Sequence, residues 1–193
     1  MIYILIVLFI LLFAFSYKYA WWKPAVDWNR PRILMYHMVR EHIDGAKFNK
    51  LRVRPTEFEK QIAWLKAEGF NFVTMQELQD HWGRHPAKTV AITFDDGYLD
   101  NLENAFPILE KYQAKATIYV VVDRHDRDWS TYKKAHHNSG ELAREPKLSD
   151  EQVWFLANSG LVEIGSHTLT HANLDKLNDE ECLHELVDSK IQL

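Results

Sequence analysis

The sequence predicts an α/β fold in which a parallel sheet is covered by helices, either as an open sheet or as a (β/α) barrel. Two observations predict it. From Arg32 onward, short apolar runs alternate with amphipathic segments. The residues best suited to chemistry fall just behind those runs, where the loops of parallel α/β folds carry function. The 193 residues are 47% hydrophobic and 26% charged, which suits one domain with a core and excludes a disordered or collagen-like chain. A formal charge of −4 provides no basic field for a polyanion and argues against a nucleic-acid partner. Cys182 is the single cysteine, so no intrachain disulfide can form, and it reads as a small buried apolar residue.

Residues 1–22 read as a transmembrane anchor. Met1 to Phe15 are apolar and no charge appears before Lys18, which gives ~26 Å of helix at ~1.5 Å per residue. Tyr17, Tyr19, Trp21 and Trp22 then form an aromatic belt at the expected membrane exit. A cleaved signal peptide is the competing reading, but it would want a basic start and a small-x-small cleavage site. Lys18, Lys23, Arg30 and Arg32 all follow the segment, and by the positive-inside rule this charge bias puts the soluble part on the cytoplasmic side. Residues 23–31 read as a linker and 32–193 as the folded domain.

Within that domain Arg32 to Tyr36 reads as a buried strand, followed by loop to Arg54. Phe58, Ile62 and Leu65 recur at helical spacing between Pro55 and Glu68, and Gly69 ends that helix. Phe70 to Val73 is the next strand. Thr74 with Glu77 is a capping box opening a short helix to about Trp82. Thr89 to Phe94 is a strand with near-continuous burial, and a helix from Tyr98 to Tyr112 follows, kinked at Pro107. Ala116 to Val122 is the fourth strand. Asp123 to Leu148 lacks apolar periodicity and reads as a polar surface insertion. Ser149 with Gln152 is a second capping box, its helix runs to Ser159, and Val162 to Gly165 is the fifth strand. The last helix starts near Asn178.

This arrangement sets His37 behind the first strand, Asp95 and Asp96 behind the third, Asp123 behind the fourth, and His167 with His171 behind the fifth. All would open on one mouth. Two imidazoles at i, i+4 can face one ion, and one carboxylate completes a three-ligand set that leaves positions open for water and substrate. The neighbouring carboxylate is then free to act as a base. Two other readings are available. The aspartates can cap the following helix while the histidines stay solvated, or the Asp pair can belong to a metallophosphatase, although no Gly-rich or basic phosphate cradle accompanies it.

Thr93-Phe94-Asp95-Asp96-Gly97 together with Ser166-His167-Thr168-Leu169-Thr170-His171 resembles the polysaccharide deacetylases, the NodB-homology or carbohydrate esterase family 4 proteins. Ile33-Leu-Met-Tyr-His37 and the pattern through Phe58, Gly69 and Phe70 resemble the poly-N-acetylglucosamine deacetylase branch. The resemblance implies a distorted (β/α) barrel with fewer than the usual units. It implies removal of N-acetyl groups from a carbohydrate, either an amino-sugar polymer or a lipid-linked glycan. Asp95 would be the general base, and Asp96, His167 and His171 would hold a divalent metal ion, most often Zn2+. Thr93 and Thr168 would pack or hydrogen-bond behind these groups, and His37 would contact substrate or the metal-bound water, or serve a structural hydrogen bond. Trp129 and Tyr132 in the insertion can stack on sugar rings, and His136 and His137 read as solvated loop residues. His42, His81, His85, His125 and His184 get no role. The usual extracytoplasmic place of such enzymes opposes the charge bias around the anchor.

The family pattern continues with an arginine-proline-aromatic segment, a later aspartate and tryptophan, and a leucine-x-leucine-histidine that brings the general acid; these have no match here. Leu183, Leu186, Val187 and Ile191 in the last helix still call for a partner. The expectation is an incomplete domain that lacks two or three closing strands, with reduced or absent turnover. The alternative function is a membrane-anchored, non-catalytic carbohydrate-binding remnant.

Overall fold

The computed structural model describes residues 2–125 and 140–193. In chain order its elements are α1 (Ile2–Tyr19), β1 (Arg32–Tyr36), β2 (Met38–Val39), β3 (Arg52–Val53), α2 (Pro55–Ala67), β4 (Asn71–Val73), α3 (Met75–Asp80), β5 (Thr89–Phe94), α4 (Phe106–Tyr112), β6 (Ala116–Val120), α5 (Glu141–Arg144), α6 (Asp150–Ala157), β7 (Val162–Ser166) and α7 (Asp179–Gln192). Helix α1 has no buried residue and is long and apolar enough to cross a membrane.

A five-stranded parallel sheet organises the domain, with β5 at its centre. Along one edge β5 pairs with β1 from Arg32↔Val90 to Tyr36↔Phe94. The other edge is divided: β4 takes Thr89 to Ala91, and β6 takes Thr93 and Phe94. Beyond β6 lies β7, in register from Ala116↔Val162 to Val120↔Ser166. Every residue of β5 is buried, as expected of a strand covered on both faces.

Neighbours in a parallel ladder share a face, and the two faces differ here. Val90, Ile92, Phe94, Ile118, Val120 and Val162 meet the apolar sides of α2, α4 and α6 in the main core. Phe58 from α2 is wholly buried there, with ring centroids 5.1 Å from Tyr36 and 5.7 Å from Phe94. The opposite face is more polar. Thr117 donates its hydroxyl to Glu163 (2.9 Å), and the first amides of α3 close over the pair, Met75 on Thr117 (2.9 Å) and Gln76 on Glu163 (3.0 Å). Ile33 and Met35 on this face are exposed. The capping boxes at Thr74 and Ser149 form as the sequence predicts.

Three expectations change. The segment after Tyr36 is not plain loop: β2 and β3 pair in parallel, and Arg52 is buried against Glu141 (2.9 Å) and Glu145 (2.6 Å). Glu145 also pairs with Arg40, and Glu141 accepts the Lys47 amide (2.9 Å). Ion pairs and a small buried cluster of Met38, Phe48, Tyr98 and Leu142, rather than apolar periodicity, order this region, so no periodic signal announced it. The described part of the 123–148 stretch is correspondingly anchored: Leu99 donates to the Pro146 carbonyl (2.9 Å) and Leu148 to that of Gly97 (2.9 Å), while buried Arg124 donates to the Leu148 carbonyl (2.6 Å). Trp129, Tyr132, His136 and His137 lie outside the described residues. The helix predicted from Tyr98 is a π-helical turn over Asn101–Ala105 followed by α4, with Pro107 in the first turn of α4, where its missing N–H costs least. Cys182 is half-buried on α7 rather than in the core.

Two stability predictions follow from these buried charges. Arg52→Met leaves Glu141 and Glu145 without their shared cation, and chemical denaturation should show a loss of about 3–5 kcal/mol. Asp100 accepts the Val39 amide (3.0 Å) and the Asn101 side-chain amide (3.1 Å). Burial, opposed by the Val39 bond and Arg40, pushes its carboxyl up to about 6. Between about pH 4 and pH 6 the native state therefore keeps a proton that the unfolded chain has released, and stability falls as pH rises through that window. Asp100→Asn keeps the accepting oxygen without the titration. It should raise Tm at pH 7 and flatten its slope between pH 4 and 6; a Tm that tracks the parent at every pH would remove Asp100 from this role.

Candidate metal centre

The site is built where the ladders run past the ends of their strands. Beyond Phe94, the Asp95 amide donates to the Tyr36 carbonyl (3.0 Å) and prolongs the β1–β5 pairing by one step. The chain then turns sharply, with Asp96 at φ +76° and Gly97 at φ +68°. A Cβ on Gly97 would stand 3.2 Å from Val120 Cγ1, so this turn lies close on β6. On the far side, the His167 amide donates to the Val120 carbonyl (2.9 Å) and extends β6–β7. Asp123 then donates to the Leu169 carbonyl (2.8 Å) and Val122 to that of Thr168 (3.3 Å).

Six described non-glycine residues have positive φ, and Asp96, Thr168 (+67°) and His171 (+59°) are three of them. The left-handed region costs an L-residue roughly 1–2 kcal/mol, and a β-branched threonine is unusual there. Such strain persists only when the surroundings over-determine it, and it gathers at functional sites.

This backbone brings Asp96, His167 and His171 together. Nε2 of His171 lies 3.3 Å and Nε2 of His167 3.4 Å from Asp96 Oδ1. One ligand atom from each of the three residues falls within a 4.8 Å span. These separations are long for hydrogen bonds, and Asp96 Oδ1 is buried without a hydrogen-bond partner. They match the ~3.3 Å edge of a tetrahedron with bonds of ~2.0–2.1 Å, the lengths of zinc to imidazole nitrogen and carboxylate oxygen. The donor set therefore fits a small divalent cation with one face left open.

Asp95 and Asp96 are neighbours in different environments. Burial raises the Asp95 carboxyl, opposed by His167 and His37 and reinforced by Asp96. Burial would raise Asp96 as well, yet His167, His171 and His37 hold it below its ordinary value. His167 is raised, its burial outweighed by Asp96. Two adjacent carboxyls driven apart in this way suit different tasks.

His37 follows β1 and is half-buried, its carbonyl accepting the Asn101 side-chain amide (2.8 Å) and its imidazole near enough to bear on both carboxyls. Thr93 is buried two residues before Asp95 on the polar face of the sheet, beside Thr117. Thr168 stands in the strained turn between the two histidines. Asp123 is an exposed residue of the neighbouring loop. His42, His81 and His184 are engaged locally, by the carbonyls of Arg52 and Glu77 and by the Asp188 carboxylate.

Sequence reasoning missed three supporting side chains. Tyr98 is buried next to the turn, and burial together with the Asp96 carboxylate raises its phenol. Glu185 of α7 lies buried under the 168–171 turn. On β6 the Tyr119 ring covers Gly165 of β7 so closely that a Cβ there would stand 2.7 Å from it. No periodic pattern marks any of them.

Known proteins resemble this chain in sequence and in fold. The family model described as polysaccharide deacetylase matches residues 83–193. YxkH of Bacillus subtilis (strain 168) is 35% identical over 174 residues, which cover 89% of this chain and 53% of that protein. The poly-beta-1,6-N-acetyl-D-glucosamine N-deacetylase of Staphylococcus epidermidis is 30% identical over 173 residues, covering 83% of this chain and 56% of that enzyme. The crystal structure of BC0361, a polysaccharide deacetylase from Bacillus cereus, superposes with a TM-score of 0.65 at 30% identity, over 84% of this chain and 46% of that one. The chain thus spans about half the length of the curated relatives it matches. With the model matched over more than half of the residues and the same parallel α/β architecture, the chain belongs to the polysaccharide deacetylase family.

Proposed function

We propose that this chain carries the chemistry of a metal-dependent amide hydrolase that removes N-acetyl groups from an amino-sugar glycan. One observation carries the reading: Asp96, His167 and His171 converge on one point with a second carboxyl, Asp95, immediately beside them. The names of the relatives support the substrate class, since one acts on an N-acetylglucosamine polymer.

Asp96, His167 and His171 would hold the cation, which when bound supplies the positive charge that acidifies a water and polarises an amide carbonyl. Asp95, beside the ligand set and outside it, would take the proton of the attacking water. His37 is a half-buried imidazole outside the ligand set, near enough to bear on both aspartates, and it would contact substrate. Thr93 and Thr168 shape the walls behind these groups. Acetate and a free amine are the products. Residues 1–22 would tether this chemistry to a membrane, a role supported by the length and apolarity of α1; an export signal has the same character.

The full chain in detergent tests the assignment. His171→Ala should weaken zinc binding at least 100-fold by calorimetric titration. Asp95→Asn should bind zinc like the parent while acetate release from N-acetylglucosamine oligomers falls 10²- to 10⁴-fold, the range for loss of a general base. An Asp95→Asn chain that turns over at the parental rate would overturn the role of Asp95. A parent that binds the oligomer and zinc without releasing acetate would favour the non-catalytic carbohydrate-binding alternative. Chelation should abolish turnover and added zinc restore it.

A further inference from the structure

Helix α7 is inverted relative to an ordinary amphipathic surface helix. Leu183, Leu186, Val187 and Ile191 are exposed, whereas Glu185 and Ser189, one turn apart, are buried. The buried side faces the segment that joins the two histidines. One carboxylate oxygen of Glu185 accepts the Leu169 amide (3.0 Å) and the Thr170 amide (2.9 Å), and the other accepts the Thr170 hydroxyl (2.6 Å). Ser166, at the end of β7, donates to the Ser189 hydroxyl (2.6 Å). Together these tie α7 to both sides of His167.

We propose that Glu185 is a positioning residue for the cation site, acting through the backbone that carries His171. The inference rests on the metal-centre reading of Asp96, His167 and His171. Thr168 and His171 bracket the two captured amides, and both are left-handed. Without an acceptor between them, these four residues have an easier route back to extended or right-handed backbone, and that route swings the His171 imidazole away from Asp96. A carboxylate receiving two successive amides is the anion-in-a-nest arrangement used inside out: the anion belongs to the protein, and the bound object is its own loop. Burial opposes the charge of Glu185, yet its bonds to Thr170 and Leu169 hold the carboxyl low. It therefore stays an acceptor, with its oxygens committed to the loop rather than to a cation.

The test uses the full chain and reads cation binding directly, by zinc calorimetry and by the visible absorption of bound cobalt(II), which reports ligand geometry independently of turnover. Leu183→Ala, at an exposed position of the same helix, controls for general loosening of α7. Glu185→Ala should weaken zinc binding by 10- to 100-fold, as loss of a supporting partner does at other metal sites, and should change the cobalt spectrum; Leu183→Ala should leave both near the parent. Glu185→Gln keeps one accepting oxygen and should fall between parent and alanine, so it carries the test if the alanine variant does not fold. Glu185→Gln and a folded Glu185→Ala that both match the parent in zinc affinity and cobalt spectrum would overturn the proposal alone. If parent and His171→Ala titrate alike, the metal-centre reading itself falls, and this inference falls with it.

Discussion

Strand β5 is the constraint on which the rest of the domain depends. Its six residues are all buried, and both its edges are occupied by parallel partners. A strand in that position has no freedom of register, because a one-residue slip would turn Val90, Ile92 and Phe94 from the helices onto the polar face. The residue that follows is therefore delivered to a fixed place. Asp95 continues the ladder through the Tyr36 carbonyl, and Asp96 takes the turn. The same logic on β6 and β7 delivers His167, whose amide remains on the ladder. The candidate ligands are thus placed by backbone hydrogen bonds of the sheet and finished by short strained turns.

Those turns explain how adjacent aspartates come to differ. In extended backbone, successive side chains point to opposite faces, and the left-handed step at Asp96 then buries one carboxyl against two imidazoles while the other stays half-open. Histidine nitrogens lower the first, and burial raises the second. The contrast between the two carboxyls is therefore set by the direction of the chain at a single residue. Burial alone would have raised both groups.

Much of this was legible in the sequence, for identifiable reasons. Apolar runs marked all five strands of the main sheet, and side-chain capping chemistry marked the starts of α3 and α6 at Thr74 and Ser149. Asp96, His167 and His171 stood out because motif spacing and strand ends coincided. The parts that were hidden are held by long-range polar contacts. Arg52 meets Glu141 and Glu145 across about ninety residues of chain, and neither end carries a periodic signal. Glu185 was hidden for a different reason: four exposed apolar residues on α7 drew attention to the wrong side of the helix. The π-helical turn before Pro107 is a local adjustment that propensity does not predict.

The contact between Gly165 and Tyr119 has a consequence for the flank of the site. The ring occupies the volume that any side chain at 165 would need, and its phenol is raised by burial, then by Glu163 and by Asp95. Where that ring lies near the proposed base is consequently fixed by a residue that has no reactive atom of its own.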